Sequence, residues 1–186
     1  AKHLWGSEDL SGKTIAVQGL GHVGYALSEK LHKSGARLIV ADINNEVLDK
    51  AESALNASRV EIGEIHAQEA DIFCPCALGG VLNAQNVPDI QAKLIAGAAN
   101  NQLASEEVMP LLEKRNITYL PDFVLNAGGI INVATEVSGE YSTAWVEQKL
   151  IGLKETIIEI LKTSDKEGVS TLQIANRIAE QRLKRA

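Results

Sequence analysis

The chain has 186 residues, of which 45% are hydrophobic and 23% charged, with a formal net charge of −6. This describes an ordinary globular composition, long enough for one α/β domain with a proper core, and its acidic balance argues against a nucleic-acid surface. No apolar run reaches the roughly 18 residues of a membrane span, and the N-terminus lacks a signal-peptide core, so the expected setting is cytoplasmic and away from membranes.

Residues Ala1 to Trp5 read as the end of a helix that began upstream, because apolar side chains appear with no capping signal before them. The chain is therefore expected to be a piece of a longer protein. Gly6 to Gly12 form a polar linker, so residues 1–12 are set apart from a nucleotide-binding domain at 13–140 and C-terminal helices at 141–186.

The organising stretch is Thr14 to Asp42. Thr14-Ile15-Ala16-Val17 is a short apolar run of the kind found in parallel strands covered on both faces. Gly19-Leu20-Gly21-His22-Val23-Gly24 follows at once. A helix then carries Val23, Ala26, Leu27 and Leu31 as its apolar stripe and stops at Gly35. Leu38-Ile39-Val40 is the second strand, with Asp42 just past its end. In such a unit the first glycine allows a tight turn and the second lets backbone approach a pyrophosphate. The third lets helix and strand pack closely, and the helix N-terminus faces the phosphates.

An acid placed like Asp42 accepts hydrogen bonds from the adenosine ribose. A 2′-phosphate would meet its carboxylate, at a cost on the order of 4 kcal/mol per unit of like charge at about 4 Å. The reading therefore favours NAD over NADP. Taken alone, the glycine pattern also suits an ordinary turn.

Asn44 to Leu55 is the second crossover helix, Val60 to Ile62 a short strand, and Asp71 to Ala77 a further strand ending in a proline-constrained loop. Cys74 and Cys76 flank Pro75, and no disulfide is expected between two cysteines this close along one extended strand. A lone C-x-C with distant histidines supplies too few ligands for a metal. Lys93 to Ala99 is the next strand, followed by Asn100-Asn101. Ser105 is expected to cap a helix through Arg115, before a strand at Ile117 to Leu120. A helix is expected to start near Gly128, another runs from Trp145 to Lys162, and Ser170 with Gln173 forms a capping box for the last. The fold class is α/β, a Rossmann-like doubly wound parallel sheet with a helical C-terminal lobe. Ligands of such sheets bind beyond the carboxyl ends of the strands. Small residues and amides gather there, although each asparagine alone also suits a turn.

Four separated motifs, AVQGLGHVG, DIFCPCALGGVLN, IAGAANNQL and PDFVLNAGGIINV, resemble the nucleotide-binding half of the glutamate/leucine/phenylalanine/valine dehydrogenases, most strongly the leucine branch. The resemblance covers nearly the whole chain. It implies that Gly19, Leu20, Gly21, His22, Val23, Gly24 and Tyr25 form the pyrophosphate turn of an NAD site. Asp42 and Ile43 would meet the adenosine ribose and adenine. Cys76, Ala77 and Leu78, with Ala99, Asn100 and Asn101, would flank the nicotinamide riboside. Asn126 would lie near the nicotinamide carboxamide and the reacting carbon, and Ile157 and Ile160 against an apolar substrate side chain. These two isoleucines share a helix face, which suits simple packing equally well.

The family's catalytic lysine, its carboxylate-binding lysine and its proton-transferring carboxylate belong to a separate N-terminal domain, and nothing here matches that domain. No catalytic residue is expected in this chain. The implied parent is a homo-oligomer that oxidatively deaminates an apolar L-amino acid to a 2-oxo acid, NADH and ammonia. Phenylalanine, valine, tryptophan and glutamate enzymes of the same family are alternatives, and so is an NAD-sensing module without chemistry.

Overall fold

The computed structural model of the protein describes residues 1–137 and 142–184. They group into two compact units, Ala1–Tyr119 and Leu120–Ala186. The expected boundary between residues 140 and 141 lies outside the described residues, within the span of the second unit.

The first unit opens with α1 (Lys2–Trp5) and then alternates strand and helix: β1 (Thr14–Gln18), α2 (His22–Lys33), β2 (Arg37–Ala41), α3 (Asn45–Leu55), β3 (Ser58–Arg59), β4 (Ile72–Pro75), β5 (Leu94–Ile95), α4 (Val108–Lys114) and β6 (Thr118–Tyr119). All strand pairs are parallel, in the order β3-β2-β1-β4-β5-β6. β1 is central: Ile15 aligns with Leu38 of β2 on one side and with Ile72 of β4 on the other. Burial on both faces explains its uninterrupted apolar run, with Ile15, Ala16 and Val17 closed to solvent. The order reverses between β1 and β4, and in a doubly wound sheet that reversal opens a crevice at the carboxyl ends of the strands.

Three local expectations are corrected. The buried residues of α2 are Gly24 and Ser28, while Val23 is exposed. Small side chains let the helix approach its neighbours, and the Ser28 hydroxyl satisfies itself by donating to the Gly24 carbonyl at 2.8 Å. The short strand expected at Val60 lies two residues earlier, at Ser58–Arg59. Ser105 does not cap α4 with its side chain. The helix begins at Val108, after a turn in which the Val108 amide donates to the Ser105 carbonyl at 3.2 Å.

At the amino ends of the strands, the Lys13 ammonium lies 4.2 Å from the Trp5 ring centroid and 2.9 Å from an Asp71 oxygen. The other Asp71 oxygen accepts from the Thr14 amide at 2.9 Å. Entry segment, β1 and the turn before β4 are thereby tied together.

The second unit is helical: α5 (Asp122–Leu125), α6 (Ala127–Val137), α7 (Thr143–Glu167) and α8 (Thr171–Leu183). Gly168, at φ 66°, ends α7 in the left-handed conformation that favours glycine. The Ser170 hydroxyl accepts from the Gln173 amide at 3.1 Å to start α8. Val124, Ile160, Ile174 and Ala175 form the buried core of this unit.

Candidate functional site

The loop after β1 is shaped by three glycines with three different surroundings. Gly19 has φ 95°, and a Cβ built there would lie 2.7 Å from the Ala77 Cβ. Gly24 is tighter still, since its added Cβ would sit 1.9 Å from the Gly19 carbonyl oxygen. Gly21 is the opposite, with nothing within 4 Å of an added Cβ. The outer glycines thus close the loop onto the end of β4 and the start of α2, while the middle one faces open space. Gly21 is also the N-cap of α2, and it offers no side chain to the first-turn amides. The helices α3, α7 and α8 do begin with side-chain caps, from Asn44, Ser142 and Ser170. The unsatisfied N–H groups and positive dipole end of α2 therefore meet an open backbone surface, an arrangement suited to phosphate oxygens. His22 and Val23 are exposed beside it.

Leu20 buries its side chain and turns its backbone amide to Asp42, donating to one carboxylate oxygen at 2.5 Å. The other oxygen accepts from the Asn44 amide at 2.8 Å. Asp42 therefore ties the glycine loop to the start of α3. Ile43, next to it, is 90% exposed. Tyr25 turns toward α3, where the Lys50 ammonium lies 4.2 Å from its ring centroid, and contributes to the loop by its amide, which donates to the Gly21 carbonyl at 2.9 Å.

Beyond β4, the Cys76 amide donates to the Gln18 carbonyl at 2.7 Å, which locks this segment beside the glycine loop. Ala77 is exposed, and Leu78 stands 81% exposed. Ile43 and Leu78, just past β2 and β4, and Val23 in the first turn of α2 are thus large apolar groups left to solvent. Burial raises the Cys74 thiol well above its ordinary value, with nearby Cys76 adding to the effect. Cys76 is raised by burial too, against a backbone hydrogen bond involving Ala98. Burial thus disfavours the thiolate form at both positions.

Beyond β5, Gly97 packs so closely on β4 that an added Cβ would lie 2.0 Å from the Pro75 carbonyl oxygen. Ala99 is buried, Asn100 and Asn101 are exposed, and Asn101 takes a left-handed φ of 51°. Sequence reasoning missed the residue beneath them. Gln102 is fully buried, and its side-chain amide donates to the carbonyls of Gly97 at 2.8 Å and Ala99 at 2.9 Å. The available signal was a long polar side chain directly after two turn-forming amides and before an apolar residue.

The first unit therefore gathers Gly19 to Tyr25, Asp42 and Ile43, Cys76 to Leu78 and Ala99 to Asn101 at strand carboxyl ends. The remaining candidates lie in the second unit. Asn126 is half-buried between α5 and α6, its amide donating to the Asp122 carbonyl at 2.8 Å. Ile160 is 1% exposed within the core of that unit, and Ile157 is partly buried against the same cluster. A groove of about 680 Å³ runs along α7, walled by Ile131, Trp145, Lys149, Thr156 and Arg182 among others.

Comparison with known proteins agrees with this fold. The profile of the Glutamate/Leucine/Phenylalanine/Valine dehydrogenase family matches residues 40–186. Leucine dehydrogenase of Bacillus cereus is 43% identical over 183 residues, covering 98% of this chain and 50% of the relative. Phenylalanine dehydrogenase of Bacillus thermotolerans is 44% identical, covering 97% of this chain and 48% of the relative. The crystal structure of L-tryptophan dehydrogenase from Nostoc punctiforme superposes with a TM-score of 0.94 at 40% identity, covering 100% of this chain and 56% of that one. The chain spans about half the length of the curated relatives it matches. The family profile, the relatives and the parallel α/β fold agree, and the chain belongs to the glutamate/leucine/phenylalanine/valine dehydrogenase family.

Proposed function

We propose that this chain is the NAD-binding half of an amino-acid dehydrogenase that oxidatively deaminates an apolar, branched-chain L-amino acid such as leucine. The observation that carries the cofactor reading is the open backbone at Gly21, set at the uncapped start of α2 in a loop whose Leu20 amide meets Asp42 and whose Gly19 packs on Ala77. It leaves room for a pyrophosphate where amides and helix dipole favour one. Bound NAD would supply the acceptor for a hydride from the substrate Cα. The chain's own residues bind and orient. The α2 amides hold phosphate oxygens, and Asp42 accepts from ribose hydroxyls and disfavours a 2′-phosphate. Cys76 to Leu78 and Ala99 to Asn101 present backbone and amide groups to the nicotinamide riboside. In the second unit, the family resemblance assigns Asn126 to the carboxamide and Ile157 and Ile160 to the substrate side chain. The contribution is positioning, with the general base supplied by the rest of the parent protein.

The apolar substrate is supported by relatives named for leucine, phenylalanine and tryptophan at 40% identity or more. Calorimetric titration of the 186-residue chain with NADH and NADPH tests the cofactor reading. Saturable NADH binding, weaker NADPH binding and no turnover of leucine are expected. Binding of neither nucleotide overturns the reading, and turnover by the chain alone overturns the assignment of the base elsewhere. In the full-length parent, a preference for glutamate over leucine, valine and phenylalanine overturns the substrate class. Unchanged hydride transfer after Asn126→Ala removes that residue from the site.

A further inference from the structure

Gln102 directs its side-chain nitrogen to one short turn. A side-chain amide carries two N–H donors, and the two carbonyls that receive them, on Gly97 and Ala99, belong to the turn that ends in Asn100 and Asn101. The same turn is held from the other side. The Gly80 amide donates to the Asn101 carbonyl at 2.7 Å, and the Leu82 amide donates to the Gln102 carbonyl at 2.9 Å. Gly79 packs flat on it, because a Cβ there would lie 2.7 Å from the Asn100 carbonyl oxygen and 3.0 Å from that of Asn101. The Ala99 amide in turn donates to the Pro75 carbonyl at 2.9 Å. Five backbone positions are thereby fixed by a single buried side chain and two flanking segments.

Part of this arrangement is a parallel bridge between Leu82 and Leu103, but the Gly97–Asn101 turn itself lies between the end of β5 at Ile95 and the start of α4 at Val108. It leaves Asn100 and Asn101 exposed on a backbone braced by these hydrogen bonds. We propose that Gln102 is a positioning residue for the nicotinamide riboside: it sets the Gly97–Asn101 backbone so that Ala99, Asn100 and Asn101 meet that end of the cofactor. The inference rests on the dinucleotide reading above. It divides the site into two independent parts, because the adenosine and phosphate contacts of Asp42 and the glycine loop do not pass through Gln102.

ADP tests that division, since it shares the adenosine and both phosphates with NADH but lacks the nicotinamide riboside. Calorimetry of the 186-residue chain is expected to show that Gln102→Leu weakens NADH binding by about tenfold, the scale of one to two lost hydrogen bonds. ADP affinity is expected to stay within about twofold of the parent value. Equal losses for both ligands, or no loss of NADH affinity, overturn the proposal. A second measurement needs no substitution: in the unmodified chain, NADH should slow amide exchange across residues 97–102 and ADP should not. Equal protection by both ligands overturns the proposal while leaving the dinucleotide reading intact. Failure of the unmodified chain to bind either ligand overturns both.

Discussion

The Leu20 amide donates to the Asp42 carboxylate at 2.5 Å, joining the glycine loop after β1 to the residue that follows β2. Because the second oxygen already accepts from the Asn44 amide, the carboxylate is oriented before any ligand arrives. Its remaining lone pairs are free to accept ribose hydroxyls, since an ionised carboxylate offers about four acceptor sites. Asp42→Ala removes the charge, the ribose acceptor and the loop tie together. It is expected to weaken NADH binding by roughly 1–3 kcal/mol and to narrow the preference over NADPH. Asp42→Asn keeps one acceptor oxygen and should fall between. Titration with both nucleotides reads all of this, and unchanged selectivity in Asp42→Ala would remove the residue from the ribose site.

The glycines separate folding from binding. An alanine Cβ at Gly24 would lie 1.9 Å from backbone oxygen, so loop or helix must move. Gly24→Ala is expected to cost about 1–3 kcal/mol of stability, the range of overpacked sites, despite alanine's better helix propensity. Gly21→Ala meets nothing and sits at φ −62°, so its unfolding transition should match the parent. Its methyl group instead occupies the space where a pyrophosphate would lie, and NADH affinity should drop. Denaturant melts and NADH titrations of the two variants give opposite patterns under this assignment.

Acid stability depends on Asp71. Burial alone would raise this carboxyl, but the Thr14 amide, the Lys13 ammonium and the charge of Lys93 outweigh it and leave the group below its ordinary value. The folded state then binds fewer protons than the unfolded one, so the contribution is fully present above the unfolded aspartate value of about 3.9. It disappears as pH falls through the depressed folded value. Asp71→Asn is expected to be less stable than the parent at neutral pH, with the gap closing below about pH 4. Urea melts followed across that range check it.

The thiols should be quiet. Cys74 is buried and Cys76 half-buried, and burial raises both. An aromatic disulfide reagent at neutral pH is expected to label Cys74 only on unfolding and Cys76 slowly. Rapid labelling of Cys76 would mean that the segment after β4 opens readily.

How much of this could be read in advance follows from how local each feature is. The β1–loop–α2 unit was legible because strand, turn glycines and helix are adjacent in sequence and each constrains its neighbour. The buried face of α2 was not. Gly24 packs inward against Cys76 and the Gly19 carbonyl, and Ser28 is buried one turn on, which a hydrophobicity pattern does not encode. Ser105 carries the right chemistry for a cap, yet the chain turns once more before α4 begins. Ile160 shows the opposite ambiguity, since an apolar residue suits a pocket wall or a core equally until its neighbours are known. Gln102 escaped for the same reason: a buried glutamine is explained only by the carbonyls it serves.

The cation–π contact between Lys13 and Trp5 has an optical consequence. The chain holds two tryptophans, Trp5 in the first unit and Trp145 in the second, each with a lysine ammonium near its ring, at 4.2 Å and 5.1 Å. Indole emission responds to nearby charge and water, so each unit carries its own fluorophore. Replacing either ring with phenylalanine leaves a single-tryptophan protein whose emission follows the melting of one unit alone.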